Sequence, residues 1–201
     1  MNIKCIVSGS LEANCYIIYR KDGGSAYIID PGYDFKHTQD FVEEHKLSVK
    51  AILLTHTHPD HSGKANALAD HFGVKVMARR EEFDFFKGGG RLLVDHLFEG
   101  EETLDLDGEE ISVLHTPGHT AGGLCFYSEK SRVAFTGDTV FNIDLGYTHF
   151  KGGSEAQMKV SLKNVVDKWG DDVVIYPGHG DPAPMSYVRK ENREFLEMVA
   201  D

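Results

Sequence analysis

The sequence predicts an α+β domain in which two β-sheets are each covered by helices. Short apolar segments that read as strands fall into two runs, one before residue 80 and one after residue 100. Helical stripes accompany each run. No Pro-, Gly- or Ser-rich linker, internal repeat or low-complexity stretch divides them, so residues 1–201 read as a single domain.

In chain order, Lys4 to Ser8 and Asn14 to Tyr19 read as strands, and Asp22-Gly23-Gly24 signals a hairpin into a third, Ala26 to Asp30. Phe35, Thr38, Phe41, Val42 and His45 mark one helix face, which closes at Lys46-Leu47-Ser48. The strand Ala51 to Leu54 follows. Ala65, Leu68, Ala69 and Phe72 have helical spacing and stop at Gly73. Asp60 or Ser62 is positioned to cap that helix.

Val74 to Ala78 is a further strand, and Glu81 to Phe86 is helical until Gly88-Gly89-Gly90 breaks it. Residues 87–100 carry no period and read as a flap or connection. Leu104 to Leu106 and Ile111 to Leu114 flank the hairpin signal Asp107-Gly108. Strands at Leu124 to Tyr127 and Val133 to Phe135 come next. A helical stripe runs from Met158 to Trp169, then a strand from Val173 to Tyr176. Val188, Phe195, Leu196 and Val199 pattern a closing helix.

Composition narrows the function. With 41% hydrophobic and 26% charged residues, the chain has the profile of a soluble globular domain. The net charge of −11 argues against a nucleic-acid partner and against an anionic membrane surface, since both need clustered Lys and Arg. No apolar run reaches membrane-span length, and Met1-Asn2-Ile3-Lys4-Cys5 lacks a signal-peptide pattern. Cys5, Cys15 and Cys125 are scattered among apolar residues and read as buried, unpaired thiols of a reducing compartment. The expectation is a cytoplasmic protein.

The stretch Thr55-His56-Thr57-His58-Pro59-Asp60-His61 carries the chemistry. Three His and one Asp follow directly on the apolar run Ala51-Ile52-Leu53-Leu54. Imidazole and carboxylate donors without thiolate suit zinc or iron better than calcium or magnesium. Three later segments each place a His or Asp in a Gly-containing turn beyond a strand: His115-Thr116-Pro117-Gly118-His119-Thr120, Thr136-Gly137-Asp138-Thr139 and Tyr176-Pro177-Gly178-His179-Gly180-Asp181. Asp30, before Pro31-Gly32, reads either as a turn-starting residue or as a carboxylate delivered to a strand end. His37, His45, His71 and His96 read as exposed and without partners, and His115 as packed at a strand end or supporting the site.

With the His56–His61 cluster and the His119, Asp138 and His179 turns, the sequence resembles the metallo-β-lactamase-fold hydrolase superfamily. It looks most like the small bacterial glyoxalase-II-like (hydroxyacylglutathione hydrolase-like) members, which share the style of Gly137-Asp138-Thr139-Val140-Phe141. The resemblance implies a four-layer αββα sandwich with two divalent ions at one edge, zinc first, with iron or manganese as alternatives. It implies that His56, His58 and His119 hold one ion, that Asp60, His61 and His179 hold the other, that Asp138 bridges both, and that Asp30 supports the His loop.

The implied activity is hydrolysis of a small thioester or ester by metal-bound hydroxide, with Asp60 and Asp138 as its carboxylates and a small, anionic molecule as substrate. Two alternatives on the same fold are a mononuclear-iron persulfide dioxygenase and a lactonase. Gly146-Tyr147-Thr148-His149 stands where the dioxygenases carry Gly-Arg-Thr-Asp. Glyoxalases II carry a basic residue in this region, where Tyr147 and His149 stand here. Those two residues are candidate substrate contacts or surface residues without a role.

Overall fold

A computed structural model of the chain describes residues 1–85 and 92–200. The first sheet has six strands in chain order: β1 (Asn2–Ser8), β2 (Ala13–Tyr19), β3 (Ser25–Ile29), β4 (Ser48–Leu53), β5 (Lys75–Arg79) and β6 (His96–Phe98). The second contains β7 (Glu102–Asp105), β8 (Glu110–His115), β9 (Leu124–Ser128), β10 (Val133–Gly137), β11 (Val174–Pro177) and β12 (Ala183–Pro184), also side by side in chain order. Helices α1 (Phe35–Glu44), α2 (Pro59–Ser62), α3 (Ala65–Phe72) and α4 (Arg80–Phe85) belong to the first half. Helices α5 (Glu155–Asn164), α6 (Met185–Glu191) and α7 (Arg193–Val199) belong to the second.

Alternation along the strands sorts side chains into layers. Ile17, Ile28 and Ile52 pack outward with Val42 of α1 and Leu68 of α3. Their neighbours Ile18, Ile29 and Leu53 point the other way, against Ile111, Val113, Phe126 and Phe135 of the second sheet. A third apolar seam joins the far face of the second sheet to Met158, Leu162, Val188 and Phe195 of α5, α6 and α7. Three seams make four layers, the αββα sandwich. Strands β2 to β4 are covered on both faces, which is why their sequences are nearly continuous Ile, Leu and Ala rather than strictly alternating. Each Ile or Leu so enclosed contributes about 1.5–3 kcal/mol relative to exposure.

Strand direction sets where the chain places its loops. β3 and β4 run parallel, as do β10 and β11, while β8 is antiparallel to β9 and β9 to β10. The C-terminal ends of β8, β10 and β11 therefore share one edge of their sheet. At this edge the two sheets are joined directly: Thr55 O accepts from Leu124 N at 2.8 Å, and Asn14 N donates to Gly178 O at 2.8 Å. Tyr16 adds a buried phenol donating to Pro177 O at 2.6 Å.

The hairpin at Asp107-Gly108 forms with both residues left-handed, φ 51° and 80°, as its turn type requires. Several other details depart from the sequence reading. Strands β6 and β12 are too short for a period to register. The helical stripe from Met158 to Trp169 is α5 followed by a tight turn at Val166–Lys168. The closing helix is two helices broken at Asn192, whose side chain caps α7 by accepting from Phe195 N. The break expected at Gly88-Gly89-Gly90 lies outside the described residues. Among the described residues, no helix is long and apolar enough to cross a membrane.

The solitary histidines each have a carboxylate. His37 meets Asp34 at 2.7 Å, His45 meets Asp22 at 2.9 Å, His71 meets Glu43 at 3.3 Å and His96 meets Glu102 at 3.0 Å. Tertiary folding supplied partners that lie far off in sequence for His45 and His71. His115 stays at its strand end and bonds Ala121 O within its own loop.

Cys15 and Cys125 are buried as expected, but Cys5 is exposed on edge strand β1. Burial raises all three thiol pKa values, that of Cys125 to about 11. Both enclosed thiols therefore stay protonated at pH 8. Labelling of the native protein with a thiol-specific disulfide reagent at pH 8 will modify Cys5 alone, and unfolding in guanidinium will release the other two. Rapid native labelling of Cys125 below pH 9 would contradict this packing.

Candidate metal centre

All seven histidines and aspartates singled out in the four turns lie at the joined edge. His56, His58 and His119 present one nitrogen each within 4.8 Å of one another, and beside them a carboxylate oxygen of Asp60 and one nitrogen each of His61 and His179 lie equally close together. Asp138 stands between the two groups. Its Oδ2 is 3.5 Å from His119 Nε2 and 3.6 Å from His179 Nε2, and its Oδ1 is 3.5 Å from His61 Nε2.

Hydrogen bonding behind the rings decides which nitrogens face the centre. His119 Nδ1 lies 2.7 Å from Tyr147 O and His179 Nδ1 lies 2.9 Å from Leu11 O. A carbonyl only accepts, so both Nδ1 atoms carry the proton and both Nε2 atoms offer lone pairs. Asp30 fixes two more rings. Its Oδ1 accepts from Thr55 N at 2.8 Å, and its Oδ2 accepts from the Thr55 hydroxyl at 2.5 Å and from His61 Nδ1 at 3.0 Å.

Because the Thr55 hydroxyl proton is spent on Asp30, its oxygen accepts from His56 Nδ1 at 3.0 Å. Asp30 also lies within ligand distance of His56 and His61, but both its oxygens are engaged, so it orients rather than binds. Asp30 has φ 50°, a left-handed position that Asp tolerates, and its carboxylate is directed to Thr55 and His61 rather than to a turn of its own. His58 differs from the others, with Nδ1 facing His119 Nε2 at 3.0 Å.

Two buried atoms test whether this arrangement fits metal ions. His56 Nε2 and Asp138 Oδ1 are enclosed and have no hydrogen-bond partner. Buried polar atoms are nearly always paired, because leaving one bare costs about 1–3 kcal/mol. Two bare donor atoms in one cluster, both directed at the same small volume, fit cation ligands. Electrostatics agree. Burial and the neighbouring imidazoles push the His56 pKa well down, which keeps it neutral. Burial opposes a charge on His61 too, yet Asp138, Asp30 and Asp60 raise its pKa well above the ordinary value, as expected where carboxylates converge on a cation-binding spot.

Close approach explains two glycines. A Cβ on Gly178 would stand 2.2 Å from Asp138 Oδ1 and 2.7 Å from the His61 ring. At Gly137, φ is +48° and a Cβ would fall 2.3 Å from Thr55 Oγ1. The chain passes so near the donors that no side chain fits.

Asp60 and Ser62 do not cap α3, in contrast to the sequence reading. Asp60 turns its Oδ2 to His179 Nε2 at 3.3 Å and His61 Nε2 at 3.4 Å, and Ser62 bonds the Thr57 and His58 carbonyls inside α2. Glu82 was not anticipated. Buried at the start of α4, it accepts from Thr57 N at 3.1 Å, from the Thr57 hydroxyl at 2.8 Å and from Gly122 N at 2.9 Å. It ties the His56–His61 loop to the His119 loop. In the sequence it is one acidic residue in a helical pattern, with nothing to mark it.

A cleft of about 710 Å³ opens over the donors, walled by Leu11, Phe141, Ile143, Tyr147 and Phe150. Tyr147 lines it. His149 instead faces a neighbouring cavity of about 370 Å³, lined also by Tyr147, Met158 and Glu194.

Residues 9–200 match the family model of the Metallo-beta-lactamase superfamily. The chain belongs to the metallo-β-lactamase superfamily. It is 34% identical to hydroxyacylglutathione hydrolase GloC of Haemophilus influenzae, over 96% of this chain and 97% of that one. Among solved structures, BLEG-1 B3 metallo-beta-lactamase superposes with a TM-score of 0.87 at 29% identity, over 96% of this chain and 99% of that one. TTHA1623 in a di-iron-bound form gives 0.81 at 26%, over 94% and 98% respectively. This membership accounts for the fold and for metal-binding His and Asp clusters, in a superfamily made up mostly of hydrolases.

Two substitutions probe the support of the centre. Asp30→Asn leaves the His61 ring without its carboxylate, and the affinity for added zinc will fall by roughly 10–100-fold in a chelator competition. Glu82→Ala strips three buried donors of their acceptor and will lower the unfolding free energy by about 2–3 kcal/mol in urea titration. Wild-type zinc affinity in Asp30→Asn would remove Asp30 from its supporting role.

Proposed function

We propose that this protein is a dinuclear-metal hydrolase of a small thioester or ester, glyoxalase-II-like, with zinc as the first candidate ion. The observation carrying this reading is the floor of the cleft. His58, Asp60, His119, Asp138 and His179 all line it, and among the described residues no Ser, Thr, Cys or Lys does. A cleft that lacks those nucleophiles and is rich in metal donors points to activated water. Divalent ions held there supply water that ionises near neutral pH and an electrophile for a carbonyl oxygen.

The protein residues divide the work. His56, His58 and His119 would hold one ion and Asp60, His61 and His179 the other, with Asp138 standing between the two groups. The carbonyls of Tyr147 and Leu11 set the tautomers of His119 and His179, and Asp30 sets that of His61 directly and that of His56 through Thr55. Asp60 and Asp138 supply the negative charge of the floor and accept hydrogen bonds from water oriented between them. In the net reaction a water oxygen bonds to the acyl carbon, the carbon–sulfur bond breaks, and the thiolate takes up a proton from solvent. A thiolate leaves readily, so no protein acid is needed beside it. GloC, the relative at 34% identity, is named for the hydrolysis of a glutathione thioester. The unpaired thiols support a cytoplasmic location.

The test is metal analysis with a panel of thioesters and lactones. About two ions per chain and thioester turnover are expected. His58→Ala and Asp138→Ala will lose metal and reduce kcat/KM by at least about 10²-fold. One iron per chain with oxygen consumption on a persulfide would replace this reading with the dioxygenase one, and lactone turnover without thioester turnover would replace it with the lactonase one.

A further inference from the structure

The walls of the cleft carry information that its floor does not. Leu11, Ile143, Tyr147 and Phe150 are each more than half exposed, and all four border the same opening. Large apolar side chains gathered at one mouth mark a binding surface more often than chance exposure. They also stand on both sides of the donors. The Phe150 ring packs edge-on to His58 and His119, at 5.7 and 6.0 Å between centroids, and Phe141 packs against His179 at 6.1 Å. A carbonyl seated over the donors therefore has an aromatic ring beside it on either side.

The same lining contains no Lys or Arg among the described residues, and it does contain Asp144. A glutathione arm brings two carboxylates, which call for cationic partners or hydrogen-bond donors. Here an anionic arm would meet Asp144 and apolar rings, with only the neutral Asn142 amide and Tyr147 phenol as side-chain donors on the wall. The wall itself is held firmly. Asn192 Nδ2 donates to the carbonyls of Phe141 and Asp144 at 3.1 and 2.7 Å, and Leu145 N donates to Glu194 at 2.9 Å. The apolar surface between Phe141 and Tyr147 is thus fixed by the C-terminal helices.

From this we infer that the substrate of this centre carries an uncharged, apolar acyl arm lying between Phe150 and the Leu11–Ile143 side of the cleft, and that its recognition does not use glutathione carboxylates. The inference rests on the hydrolase reading for the word acyl, while the apolar arm follows from the cleft walls alone.

The experiment is calorimetric titration of the metal-loaded protein with straight-chain carboxylates from acetate to octanoate, the products of acyl hydrolysis. Affinity is expected to rise about threefold to fourfold per methylene until the chain passes the lip. Phe150→Ala combined with Leu11→Ala will flatten that slope, and Val160→Ala, exposed on α5 and outside this cleft, will leave it unchanged. Glutathione at the same concentration will not displace octanoate. Equal affinity for acetate and octanoate, no binding of any of them, or displacement by glutathione overturns the inference. Acetyl and octanoyl thioesters of N-acetylcysteamine are assayed in parallel. A steep binding slope without turnover removes the hydrolase reading and leaves the apolar site. Equal turnover of both thioesters with flat binding does the reverse.

Discussion

The structure depends on one constraint: the edges of two separate sheets must meet closely enough to share a cluster of donors. The first sheet delivers Asp30 and the His56–His61 loop from the ends of β3 and β4. The second delivers His119, Asp138 and His179 from β8, β10 and β11. What holds the edges together is short and specific, namely the Thr55–Leu124 and Asn14–Gly178 backbone bonds and the Tyr16 phenol on Pro177. Area burial between the sheets sets their distance. These few polar contacts set their registration, and the donors need registration.

Convergence of like groups is costly, and the chain offsets that cost with buried carboxylates. Five imidazoles and two aspartates crowd together, so their protons and lone pairs have to be assigned. Asp30 does so for His56 through Thr55 and for His61 directly, and backbone carbonyls do it for His119 and His179. Glu82 does the same for backbone, holding two loops that would otherwise leave buried N–H groups unpaired. Each of these groups acts at one remove from the centre, yet the directions of the His56, His61, His119 and His179 rings depend on them.

The floor and walls of the cleft answer to different physics. The floor is built of charge and lone pairs, and its demands are angular. The walls are built of exposed Leu, Ile, Phe and Tyr, and their demands are area and shape. That separation lets the loops around Leu11 and Phe141–Phe150 vary without disturbing the donors on the floor.

By itself the sequence determined the strands, because β2, β3, β4, β8 and β10 each have a periodicity or an apolar run long enough to register. It also singled out the seven His and Asp residues that the fold brings together, because a dense cluster of His with three matching turns is rare outside metal sites. Very short strands such as β6 and β12 carry too few residues to show a pattern. The break at Asn192 depends on its side chain bonding both the start of α7 and the Phe141–Asp144 loop, the latter about fifty positions away. Only the tertiary structure decided that Glu82 is buried and that Tyr147 contributes its carbonyl to His119. It likewise decided that His149 faces a different cavity and that His37, His45, His71 and His96 each have an acid beside them. The physical reason is common to all four. A residue type states which bonds it can make, and the bond it does make depends on which distant segment the packing brings within about 3 Å.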